Sequence, residues 1–172
     1  GRAAAAEAAG RLRGTGAAPA RLATLKADAE PTVRTAALDA LRAIGGATAE
    51  PAIRAALADR DQTVRMTALG VIADLGLPDD RAAGMLAAVV QSGSLTEKQS
   101  AIEALGKMNS PHAQTTLGTL VDRLVSDKLE PGVQLDVEEA VAAGGTAAQR
   151  AAIASYRAGR PASNPVAAFR EA

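Results

Sequence analysis

Apolar residues recur three and four positions apart along most of this chain, in stripes separated by short polar or glycine-containing breaks. Leu22 and Leu25 mark one stripe in 19–28, Ile53 and Leu57 another in 48–58. Met85, Leu86, Val89 and Val90 fall in 79–92; Leu117, Leu120, Val121, Leu124 and Val125 fall in 111–128. This spacing puts the bulk on one helical face, so each stripe predicts an amphipathic helix. Pro19, Pro31, Pro78, Pro111 and Pro131 stand near the predicted starts, where a missing N–H costs nothing. Gly45-Gly46, Gly76, Asn109 and Gly144-Gly145 follow predicted ends, where a C-terminal cap calls for a residue tolerant of positive φ.

The pattern also repeats. Val33 maps to Val64, Arg34 to Arg65, Leu38 to Leu69, Leu41 to Ile72, Ile44 to Leu75 and Gly45 to Gly76, each at an offset of 31. A third copy, offset by a further 33, puts Lys98 in the arginine slot, with Ile102, Leu105 and Met108 behind it. A fourth, offset by 36, keeps Val133 and Val141 but has Glu138 where Leu38 stood, the degeneracy expected of a terminal repeat. Periods of this size predict stacked supersecondary units. We expect four helix pairs and then a helix at about 146–158. Residues 1–16 are read as an N-terminal extension or partial repeat, 17–158 as the repeat domain and 159–172 as a linker or strap.

Composition agrees with an all-α chain. Ala fills 44 of 172 positions and allows helices to approach closely, while Tyr156 and Phe169 are the whole aromatic complement. Nineteen basic residues balance nineteen acidic ones, which gives no electrostatic reason to expect nucleic acid or an anionic membrane. With no Cys there are no disulfides, thiolate metal sites or thiol nucleophiles. No stretch approaches the roughly 18 apolar residues of a membrane span. The Ala3–Ala6 run makes a poor signal-peptide core. Because it starts at Gly1, the chain is read as an excerpt or processed form, with chemistry left to a neighbouring domain.

The recurring pattern Asp28-x4-Val33-Arg34-x2-Ala37-Leu38-x2-Leu41-x2-Ile44-Gly45 resembles a HEAT-type repeat, in the short variant named after phycobilisome lyases. The resemblance implies a right-handed α-α superhelix, an armadillo-like solenoid whose second helices line the concave side. A second resemblance rests on Gln134-Leu-Asp-Val137 and Asn164-Pro-Val-Ala-Ala-Phe-Arg-Glu171. These segments look like parts of large bacterial secreted proteins that join a sugar-dehydrogenase-like propeller to a c-type cytochrome domain. That parentage would imply a periplasmic or extracellular location.

Arg34, Arg65 and Lys98 recur just inside the second helices. At about 100° per residue, Arg34 lies about 20° from Leu41 and points inward. An inward cation must be paired. Asp28 and Asp59, six residues before the two arginines, are the expected partners. The row reads either as a structural ladder or as an anion-binding site. The same wheel turns Asp39, Arg42, Met66, Asp74, Gln99, Glu103, Lys107, Asp136 and Glu139 outward, with Gly106 among them. This mostly acidic face would suit a basic or polar partner segment, or be simply solvated. His112 is the only histidine, and Asp136 with Glu139 offers at best a weak divalent-cation site. Phe169 either plugs an end of the stack or docks onto a following domain. No catalytic, cofactor or metal residue is assigned.

The expected function is therefore a non-catalytic, monomeric scaffold that contacts a protein or a neighbouring domain of its own chain. The alternatives are a nucleic-acid-binding module, as in HEAT-like DNA glycosylases, and a lyase of the phycobilisome type. The first would need a basic groove and aromatics to cradle a base, which this composition lacks.

Overall fold

The computed structural model describes residues 28–44 and 49–159. The predicted helix 19–28 lies almost wholly outside these residues, as do the segment 1–16, the Gly45-Gly46 cap and Phe169. Eight α-helices are described: α1 Pro31–Ile44, α2 Glu50–Ala56, α3 Gln62–Ile72, α4 Asp79–Ser92, α5 Leu95–Gly106, α6 Pro111–Val125, α7 Gln134–Gly144 and α8 Ala147–Gly159. Two 3-10 turns, Ala73–Leu75 and Pro131–Val133, extend α3 and lead into α7. No strand occurs among the described residues.

Local chemistry sets the helix starts. Asp61 accepts the N–H groups of Thr63 and Val64 at the head of α3, and Ser110 accepts from Ala113 at the head of α6, where Pro111 follows. Thr146 and Gln149 cap each other at α8: the Thr146 N–H donates to Gln149 and the Gln149 N–H to the Thr146 hydroxyl. Of the glycines expected at helix ends, Gly76 takes the left-handed conformation, φ 63°. Gly145 does not (φ −68°), because α7 leaves through extended backbone.

The helices pack in two layers. The even-numbered helices form one and the odd-numbered helices the other; α2 pairs with α3, α4 with α5 and α6 with α7, while α8 closes against α6 and α7. Within the odd layer each helix also packs on the next odd helix, so the hairpins stack as a helical-repeat solenoid. The inward rows make one continuous core, with Leu38, Ile53, Leu75, Leu86, Ile102, Leu105, Leu117 and Leu124 almost fully buried.

Gly106 departs from the helical wheel, being buried where the wheel sends it outward. A Cβ at Gly106 would stand 2.7 Å from the Ala140 Cα, and one at Gly144 would collide with the Gly106 carbonyl oxygen. The α5 and α7 backbones thus meet at Gly106, Ala140 and Gly144. A wheel, which describes one helix alone, cannot register that approach. Glu138, the misfit in the fourth copy, is bonded by Arg157 of α8.

Candidate functional site

Two groups of polar side chains have defined geometry. The first is the row that begins at Arg34. Its Nε and Nη2 donate to the two carboxylate oxygens of Asp59, both at 2.8 Å, and its Nη1 donates to the carbonyls of Asp28 (2.8 Å) and Ala29 (2.9 Å). Arg65 repeats the arrangement: Nε to Glu97 at 2.7 Å, Nη1 to the carbonyls of Asp59 (2.7 Å) and Arg60 (3.1 Å). Lys98 reaches Glu130 at 2.8 Å. Gln134, in the fourth arginine slot, still donates to the carbonyl of Leu129, five residues back.

The expected pairing of each arginine with the aspartate six residues before it is therefore corrected. That aspartate supplies a backbone carbonyl, and the carboxylate comes from the following repeat. The side chain runs back along its own helix N-terminus only far enough to reach the turn, and its guanidinium fork then faces the next hairpin. Asp28 instead accepts the N–H of Glu30 at 3.0 Å. The acceptors also come from unlike positions. Asp59 precedes α3, Glu97 lies inside α5 in the slot that Val33 and Val64 hold in the other copies, and Glu130 precedes the Pro131–Val133 turn.

These contacts fix protonation. The bonds from Arg34 hold the Asp59 carboxyl below its ordinary range, against the opposing pull of burial. For Glu97 burial is the strongest influence and pulls upward. The Ser94 N–H and Arg65 together outweigh it, and the carboxyl is net lowered. The Arg34 guanidinium is raised, chiefly by its bonds to Asp59. A parallel tie runs across the even layer: Glu50 binds Arg54 at 3.0 Å and Arg81 at 3.1 Å, and Arg54 foremost lowers its carboxyl. Each anion in these rows has a cation and each cation an anion, so the arrangement links repeats.

The second group is the outer face of the odd layer. Asp39, Arg42, Asp74, Glu103, Lys107 and Glu139 are exposed; Met66, Gln99 and Asp136 are half-buried. Several are already engaged. Arg42 lies 3.7 Å from Asp39 and 3.6 Å from Asp74, Lys107 lies 2.5 Å from Glu103, and Gln99 donates to the Gly132 carbonyl at 2.9 Å. Between α3 and α5 this face opens into a groove of about 600 Å³. It brings together Met66, Glu103 and Lys107 from the residues turned outward by the wheel. It adds Met108, which sequence reasoning placed on the core row, and Asp79 from the head of α4. Helical periodicity within one segment gives no sign of a gap between two helices.

His112 is exposed, and its backbone N–H meets Asp80 at 3.3 Å. The Tyr156 hydroxyl donates to Asp127 at 2.7 Å. Among the described residues no three His, Cys, Asp or Glu side chains gather as a metal site, and no helix is long and apolar enough to cross a membrane.

No curated protein matches the chain by sequence. Among solved structures, human deoxyhypusine hydroxylase in complex with glycerol is similar with a TM-score of 0.51 at 20% identity, over 93% of this chain and 74% of that one. At such identity the likeness concerns the fold. Residues 18–106, just over half of the sequence, match the family profile described as HEAT repeats. With the two-layered stack and the interlocked rungs described above, the chain belongs to the HEAT-repeat family.

Proposed function

We propose that this chain is a non-catalytic scaffold that engages another protein, or a neighbouring domain of its own chain, through the outer face of α1, α3, α5 and α7. The observation that carries the reading is the groove between α3 and α5, a trough with an apolar floor on a face where Arg42, Asp74, Glu103 and Lys107 are tied to one another. The inter-repeat rungs are engaged in holding the stack, whereas this trough is open to a partner. Equal numbers of acidic and basic residues favour a protein partner over nucleic acid. The repeat domain we assign to 17–158, as a monomer.

Photo-crosslinking from single sites tests the proposal. A crosslinker at Gln99 or Glu103 should capture one defined partner, while one at Thr115 on α6 should not. Capture from Thr115 alone, or turnover of a substrate by the chain, would overturn it.

The wider setting we infer is a bacterial secreted protein with sugar-dehydrogenase-like and c-type cytochrome domains. Its support is the resemblance of two segments. One of them, Gln134–Val137, also has a structural role: Gln134 bonds the preceding turn and Val137 enters the core. The inference therefore leans on Asn164–Glu171. Finding the full-length gene without a Cys-x-x-Cys-His haem-attachment motif would remove it.

A further inference from the structure

We propose that the groove between α3 and α5 docks a cationic amphipathic helix of a partner protein. This rests on the scaffold reading and supplies the place and the chemistry that it leaves open.

The groove has a packing origin. Toward α7, α5 presents Gly106 against Ala140 and Gly144, and the backbones nearly touch. Toward α3 it presents Ala104, while Gly70 of α3 faces open space with nothing within 4 Å of where its Cβ would be. The odd layer is consequently closed on one side of α5 and open on the other. Through the opening the trough reaches buried Leu69, Ile72 and Leu86, with half-buried Met66 and Met108 along its sides. Methionine thioethers are flexible and polarizable, and they adapt to varied apolar partners. A trough between two helices with an apolar floor is the geometry into which an amphipathic helix lays its i, i+3, i+4, i+7 face.

Charge selects the occupant. Asp79 and Glu103 line the groove against one cation, Lys107, which Glu103 already holds at 2.5 Å. Two carboxylates thus line the opening against one cation, and that cation is engaged. Lysines or arginines flanking the apolar stripe of a partner helix would meet Asp79 and Glu103, whereas phosphates or acidic side chains would be repelled.

The test uses the whole chain and two labelled peptides of about four helical turns. One carries Leu at i, i+3, i+4 and i+7 with Lys elsewhere; in the other, Glu replaces Lys. Fluorescence anisotropy should show the Leu/Lys peptide binding at least about tenfold tighter than its Leu/Glu counterpart, and weakening as salt is raised. Met66→Lys and Glu103→Lys should each weaken it by about tenfold or more. Thr115→Lys, on the exposed face of α6 in the other layer, should leave it unchanged. Glu103 is exposed, so its variant keeps the test sound if Met66→Lys fails to fold. Equal binding of both peptides, no binding of either, or equal loss in Thr115→Lys would overturn the proposal. In any of those cases crosslinks from Gln99 would still uphold the scaffold reading, and their absence would end both.

Discussion

Between α1 and α3 the junction is bridged by Arg34, only 4% exposed, gripping Asp59 with two parallel bonds. Between α5 and α7 the corresponding cation is Lys98, 23% exposed, and it meets a Glu130 that is 46% exposed through one contact. The later junction makes up the difference through backbone proximity at Gly106, Ala140 and Gly144, for which the earlier one has no counterpart on α3. The first and last junctions of the described odd layer thus hold their helices together by different means. A bidentate, desolvated pair fixes orientation through its geometry, while small residues maximise dispersion contact by removing side chains from the crossing. The junction in the middle, α3 with α5, has its rung in Arg65–Glu97 but no such crossing, and there the groove opens.

Substitutions can break this contrast. The largest effect is expected at Asp59→Ala, which strands the nearly buried Arg34 and should cost about 3 kcal/mol. Glu130→Ala, the same operation on the exposed rung, should cost about 0.5 kcal/mol or less. Urea unfolding of the two variants side by side measures the difference. Comparable losses would mean that the two rungs are not the unlike devices their burial indicates.

Gly106→Ala should follow, destabilising by about 2 kcal/mol because the new methyl meets backbone of α7 rather than a side chain that can swing away. Gly70→Ala provides the control. With open space around it in the interior of α3, it should stabilise by about 0.5–1 kcal/mol. A gain at Gly106 like that at Gly70 would show that helix propensity, and not the α5–α7 crossing, governs both.

The mildest effect expected is one of pH. Asp59 and Glu97 are both held below the ordinary carboxylate values. Each therefore binds a proton less readily folded than unfolded, and the stability it adds is complete above about pH 4. That stability is lost as pH falls through the lower folded values. Glu97→Gln should lower stability at neutral pH and make the acid limb shallower; a limb as steep as the parent's would show that Glu97 takes no part in it.

Much of this architecture was legible in the residues. The offset of 31 from Val33 to Val64 and the rows of Leu, Ile and Val set helix pairs and their stacking, and the helix predicted at about 146–158 is observed as Ala147–Gly159. The inward direction of Arg34 was legible too, because an angle on a helical wheel depends on one segment only. Its partner was not. Asp59, Glu97 and Glu130 occupy non-equivalent positions in their repeats, so extrapolating one register to the next copy finds the cation and misses the anion. Glu97 stands in a valine slot, and only that misfit hinted at a special role.

Periodicity and propensity, which act between neighbours along the chain, determined that this sequence makes amphipathic helices and that their apolar faces must stack. How closely each pair of helices approaches depends on side chains far apart in sequence, such as Gly106 with Ala140 or Met66 with Met108. Tertiary packing alone decided which junction closed, which acid met which base, and where the trough was left open.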